Sequence, residues 1–148
     1  MPIVMPNQSA DAGLKASAIT LAVIGLAALG VQPVLVSALI ELGGFDDSSA
    51  GYIASAEVFG VAATNTANMV AGHRWNWKWL CALGLVLMAA GNLASIVAGT
   101  DTALMMSCRF TSGLGSALLI SRGYAAAGLT RNPDRMFGYI LAVSTAQV

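Results

Sequence analysis

From Trp79 to Ala98 the chain runs about 20 residues without a charged side chain, the length a helix needs to cross about 30 Å of hydrocarbon. No other feature constrains the fold as strongly. A soluble domain carries roughly 25% charged residues; this 148-residue chain carries 9%, against 57% hydrophobic residues. That balance excludes a water-soluble globule and a disordered chain alike. Seven Lys and Arg offset seven Asp and Glu, which leaves no basic face for a nucleic acid. The two cysteines, Cys81 and Cys108, fall inside apolar runs, so a disulfide scaffold is not expected. The expectation is an integral, multi-pass protein of a plasma membrane (the inner membrane in a bacterium).

Four apolar segments reach spanning length: about residues 16–42, 50–71, 79–98 and 103–129. A fifth, 136–148, has 13 residues and as a helix would rise about 20 Å, short of crossing. Each full run far exceeds the roughly 10 alternating residues of a membrane strand. The expected fold class is therefore all-α: a polytopic transmembrane helix bundle with four full spans and a truncated fifth. Residues 1–15, with Pro2, Pro6 and Gly13, read as a short flexible cytoplasmic tail. Residues 16–148 read as an incomplete transmembrane domain, the front portion of a longer protein whose further helices would be its partners. Gly30 and Pro33 predict a bend near the middle of the first span.

Loop charges orient the bundle. Lys15, Arg74, Lys78, Arg131 and Arg135 all fall on one side if four spans precede the last of them. The first and third loops carry Glu41, Asp46, Asp47 and Asp101 and no Lys or Arg. The positive-inside rule places the basic side, and with it the N-terminus, in the cytoplasm. Trp75, Trp77 and Trp79 cluster on that side, where indoles favour the headgroup layer. Asp46, Asp47, Ser48 and Ser49 are expected to cap the second span.

Lipid tails are as apolar as Leu, so close backbone approach must hold such helices together. Gly84, Gly91, Ser95 and Gly99 in the third span, and Ser112, Gly113, Gly115 and Ser116 in the fourth, are the expected packing residues.

Three charged residues lie within spans: Glu57, Arg109 and Arg122. A charge at the bilayer centre costs about 2.5–3.5 kcal/mol on insertion scales, so these side chains require a protein-lined interior. Thr64, Asn65 and Asn68 follow Glu57 at offsets of seven, eight and eleven and are expected to share one helical face with it. Arg109 and Arg122, 13 residues apart, lie about 140° apart around their helix. Two readings stand for Arg122: it snorkels to the cytoplasmic interface, or it faces a cavity, where it attracts an anion or pairs with Glu57. Gln32, Asn65 and Asn92 are further candidates to line a cavity. No zinc pattern, phosphate-cradling loop or nucleophile elbow occurs, and His73 stands in a basic loop without companion metal ligands. Neither an enzyme, a metal site nor a cofactor is expected.

The stretch Arg109-Phe110-Thr111-Ser112-Gly113-Leu114-Gly115 is similar to the fourth-helix pattern of the major facilitator superfamily of secondary transporters, an arginine followed by Gly-x-Gly. Asn132-Pro133-Asp134-Arg135-Met136-Phe137-Gly138 resembles the turn that opens that family's fifth helix, and the spacing between the two stretches agrees. In the loop after the second span, Arg74 and Lys78 match basic positions of the family's gating signature, while Met69, His73 and Asn76 stand where it has Gly, Asp and Gly. The resemblance covers about residues 16–148. It implies a partial facilitator fold, part of the first six-helix half of a twelve-helix carrier that works by alternating access. It also implies a role for Arg109 in proton coupling, and for Arg74 and Lys78 in cytoplasmic gating.

The resulting expectation is a membrane transporter of small solutes, coupled to a proton or another cation. Its substrate or ion pathway would include Glu57, Arg109, Arg122, Gln32 and Asn65. The competing expectations are a non-transporting membrane scaffold or inactive truncated remnant, and a small four-helix exporter that dimerises.

Overall fold

A computed structural model describes residues 8–71 and 75–146. The chain forms six helices: α1 (Gln8–Gly30), α2 (Gln32–Glu41), α3 (Asp47–Ala71), α4 (Trp77–Val97), α5 (Thr102–Gly128) and α6 (Pro133–Thr145). No strand occurs among the described residues. Helix α1 begins at Gln8 and so takes in residues 8–15 as well as the first span; residues 1–7 lie outside the described residues.

Three stretches are long and apolar enough to cross a membrane: Ala12–Glu41, which takes in α1 and α2, Trp77–Val97 and Thr102–Gly128. Four were expected, and α3 does not join the three. Its 25 residues are long enough, but Glu57, Thr64, Asn65, Thr66 and Asn68 dilute its apolar content.

Local chemistry sets the helix boundaries. The Asp46 carboxylate accepts from the Ser49 N–H at 3.3 Å and from the Ser48 hydroxyl, capping α3. These bonds hold its carboxyl at about 2, below its ordinary 3.8. Asn76 accepts from the Lys78 N–H at 3.0 Å at the head of α4. Asp101 accepts from the N–H groups of Ala103 and Leu104, at 2.9 and 3.1 Å, at the head of α5. Each side chain satisfies donors that a helix start leaves free. The first span breaks at Val31. Its N–H still reaches Ala27 O at 3.1 Å, and Leu35 N–H reaches Val31 O at 2.9 Å. Pro33, however, has no N–H to offer the Leu29 carbonyl four residues earlier.

Helix α5 is the axis of the bundle: α1, α3 and α4 each pack along it far more than on one another. Its glycines make this possible by facing different neighbours. A Cβ on Gly113 would strike the Glu57 backbone of α3, one on Gly115 the Met88 and Gly84 backbone of α4, and one on Gly123 the Ala22 backbone of α1, all inside 3.0 Å. From α4, Gly91 lies equally close to Cys108 and Ser112. Gly99 does not belong to this packing. It follows α4 with φ +57° and would have nothing within 4 Å of an added Cβ, so it ends the helix.

Apolar clusters close the two ends. Leu39, Phe45, Ala50, Ile53, Ala98, Met105 and Cys108 gather at the end that carries Asp46, Asp47 and Asp101. At the other end Ala18, Ala22, Ala126, Ala127, Met136 and Ile140 join α6 to α1 and α5, with Tyr124 and Phe137 stacked at 5.8 Å.

Candidate functional site

Between these apolar ends lies a polar cluster built from three helices. Glu57 of α3 is fully buried, and Arg109 of α5 is 7% exposed. Arg109 Nη1 stands 4.0 Å from Glu57 Oε2. Helix α4 completes the arrangement with Asn92 and Ser95. Arg109 Nη2 donates to Ser95 Oγ at 2.6 Å, and Ser95 Oγ donates to the Asn92 carbonyl at 2.7 Å. The Asn92 amide donates to Ser112 Oγ at 3.1 Å, and Ser112 Oγ donates to Glu57 Oε1 at 3.4 Å. Two hydrogen-bonded paths thus run from Asn92, one to the cation and one to the carboxylate.

The cluster is not fully satisfied. Glu57 Oε2 and Arg109 Nε have no hydrogen-bond partner. A guanidinium carries five donors, and here a single hydroxyl takes a close bond from it. Burying an ion pair costs desolvation that only good geometry and further hydrogen bonds offset. A loose 4.0 Å pair with unpaired atoms on both sides is therefore a poor choice for stability alone.

Arg109 also borders open space. A cavity of about 350 Å³ is lined by Ala27, Ala28, Val31, Leu35, Met88, Asn92 and Arg109. The break in the first span supplies one wall of it, and α4 and α5 supply the opposite side. Val31 lies ten residues before the end of α2 at Glu41, and Glu57 ten residues into α3. Both are about 15 Å from the acidic end of the bundle.

The other candidates lie elsewhere. Arg122 does not pair with Glu57: it is 13 residues, about 20 Å, further along α5 than Arg109. Its Nη2 donates to Asn68 Oδ1 at 2.8 Å, and its guanidinium lies over the Trp77 ring, 5.5 Å from the centroid. Asn68 in turn donates to Ser121 Oγ at 3.1 Å, and Thr64 donates to the Leu114 carbonyl at 3.2 Å. Glu57, Thr64 and Asn68 therefore all face α5. Asn65 does not: it is exposed. An offset of eight turns it about 80° from Glu57, whereas offsets of seven and eleven stay within about 20°. Gln32 donates to the Ala54 carbonyl at 3.1 Å and lines a separate cleft with Val58 and Phe59. Lys78 is exposed in the first turn of α4, while Arg74 and His73 lie outside the described residues. Among the described residues no group of three His, Cys, Asp or Glu could hold a metal ion.

Small-residue spacing alone marks Ser95 and Ser112 as packing residues, yet both bond the charged pair. A signal for this is present in the sequence: Ser112 follows Arg109 by three, and Ser95 follows Asn92 by three, so each pair shares a helix face.

No family model matches the chain, and neither does any curated protein or solved structure.

Proposed function

We propose that these helices belong to a solute transporter in which the Glu57–Arg109 pair is the switching element. The observation that carries this reading is the buried, incompletely bonded pair beside a cavity at the break of the first span. Three further features support it. Three helices are long and apolar enough to span a membrane. Substrate and coupling-ion sites of secondary transporters lie near the bilayer midplane. Ionisable groups held inside a membrane mark ion and proton pathways.

In this reading the bundle sits in the membrane with α3 as a fourth span, shielded from lipid along its polar stripe by α5. The N-terminus and the basic loops face the cytoplasm, and the acidic end faces outward. The Arg109 and Pro133 motifs favour a carrier of the major facilitator type. Glu57 accepts a proton when its hold on Arg109 loosens, and the freed guanidinium changes its partner. Coupling is then a competition between two states of one buried pair.

The test is solute-driven proton movement in proteoliposomes containing the full-length carrier to which these helices belong, read with an entrapped pH dye over a panel of organic acids, sugars, amines and amino acids. The wild type gives a proton signal with at least one solute class, and Glu57→Gln abolishes it. A coupled signal unchanged in Glu57→Gln rules the proposal out.

A non-transporting scaffold is favoured by one observation, the interlocking of α5 glycines with three neighbouring backbones. It predicts no proton signal with any solute.

A further inference from the structure

The cavity beside Arg109 has a composition that says what it can hold. Five of its seven lining residues, Ala27, Ala28, Val31, Leu35 and Met88, are apolar, and the other two are Asn92 and Arg109. A cationic donor on one side and aliphatic walls on the other suit a ligand with the opposite distribution: an anionic head and a short apolar body. Pockets of about 300–1,000 Å³ accommodate small organic ligands, and this one is about 350 Å³. The head must be planar and must accept two hydrogen bonds to use the guanidinium fork, which describes a carboxylate.

Arg109 already has a carboxylate, but holds it badly. Glu57 stands at 4.0 Å, outside hydrogen-bonding distance, and its Oε2 and the Arg109 Nε are both unpartnered. A ligand carboxylate entering the cavity meets Arg109, whose guanidinium makes one close hydrogen bond, to Ser95 Oγ. We propose that this cavity is a carboxylate site, in which a small aliphatic or aromatic monocarboxylate replaces Glu57 as the counter-ion of Arg109.

The exchange balances in charge. Before binding, the site holds the Arg109 cation and the Glu57 anion. Afterwards it holds the Arg109 cation, the ligand anion and a neutral Glu57 carboxyl, whose proton comes from the buffer acid, the acid's bond to that proton breaking as the carboxyl O–H forms. No covalent bond other than that O–H forms. Among the described residues, the groups facing Glu57 leave no other acceptor for the proton. Helix α5 presents Arg109 and Ser112, α4 presents the uncharged Asn92 and Ser95, and the walls from α1 and α2 carry no ionisable side chain. The inference rests on the reading of this pair as switchable, and it names the substrate class of the same site.

Binding of radiolabelled benzoate to the full chain in nanodiscs tests it, with benzamide as the uncharged control of the same shape. Saturable benzoate binding without benzamide binding is expected, accompanied by proton uptake seen as a buffer-dependent heat in calorimetry. Glu57→Gln removes the internal competitor, so it tightens benzoate binding by at least about tenfold and abolishes the proton uptake. Arg109→Gln loses binding. Ala28→Leu fills the cavity without touching the charges and also loses binding, which keeps the test decisive if the arginine variant fails to fold. Equal affinity for benzamide, or benzoate binding unaltered by Ala28→Leu and weakened by Glu57→Gln, overturns the proposal. Benzoate binding without solute-driven flux leaves the site standing and removes the transport reading. Flux with other solutes and no benzoate binding does the reverse.

Discussion

Replacing Gly113 by Ala is the sharpest probe of how this bundle is held. Gly113 lies where α5 meets α3, and an added Cβ would fall on the Glu57 carbonyl oxygen, with the carbonyl carbon at 3.0 Å and Cα at 3.2 Å. All three atoms are backbone, so no side chain can rotate away and the helices must part. A radial gap of about 0.5–1 Å already forfeits a quarter to a half of each contact's attraction. Overpacking of this kind costs typically 1–3 kcal/mol, and a rigid backbone on both sides argues for about 3. Against this, Ala is the better helix former by about 1 kcal/mol. The net expectation is a loss of about 2 kcal/mol. Gly51 on the same α3 and Gly138 on α6 have nothing within 4 Å of an added Cβ. Their Ala variants keep only the propensity gain and become more stable by up to about 1 kcal/mol. Reversible unfolding in mixed micelles measures all three, and the spacing between Gly113→Ala and the two controls is the readout. If Gly113→Ala proves as stable as Gly51→Ala, the close approach of α3 to α5 is wrong, and with it the placement of Glu57 beside Arg109.

Further outcomes follow from single interactions. Asp101→Ala removes the side chain that accepts from Ala103 and Leu104 and costs about 1 kcal/mol in the same assay, while Asp101→Asn retains most of it; equal losses in the two variants count against the cap. Asp46 titrates near 2, below its ordinary 3.8. Because the folded value is lowered, its contribution to the head of α3 is complete above about pH 4 and is lost as pH falls towards 2. Carboxyl chemical shifts in an NMR titration check this, and a midpoint at or above 3.8 refutes it. Arg122→Lys keeps the charge but loses the planar stack on Trp77 and the Asn68 bond. It destabilises by about 1 kcal/mol and leaves benzoate binding intact, since Arg122 is about 20 Å along α5 from the cavity; loss of binding in this variant would place the two arginines in one site.

The helices, their approximate lengths, the cap at Asp46 and the break between Gly30 and Pro33 were legible in the sequence, because each is decided within a few residues of chain. Apolar run length, a side-chain acceptor at a helix start and a missing proline N–H act locally and survive any tertiary arrangement. Which buried charges meet was decided only by the tertiary structure. Lipid and protein interior are both apolar, so the apolar pattern says little about how a membrane helix is rotated or which neighbour it faces. The sequence therefore pointed to Arg122 as the partner of Glu57, until Gly113 and Gly91 brought α3 and α4 against the first half of α5, beside Arg109. The same packing turned Asn65 outward and converted Ser95 and Ser112 from spacers into partners of the charged pair. It also opened a cavity at the broken span, where helix α5 presents Arg109. Neighbours distant in sequence make those choices, and a glycine's missing side chain selects among them only once a second helix is there to fill the space.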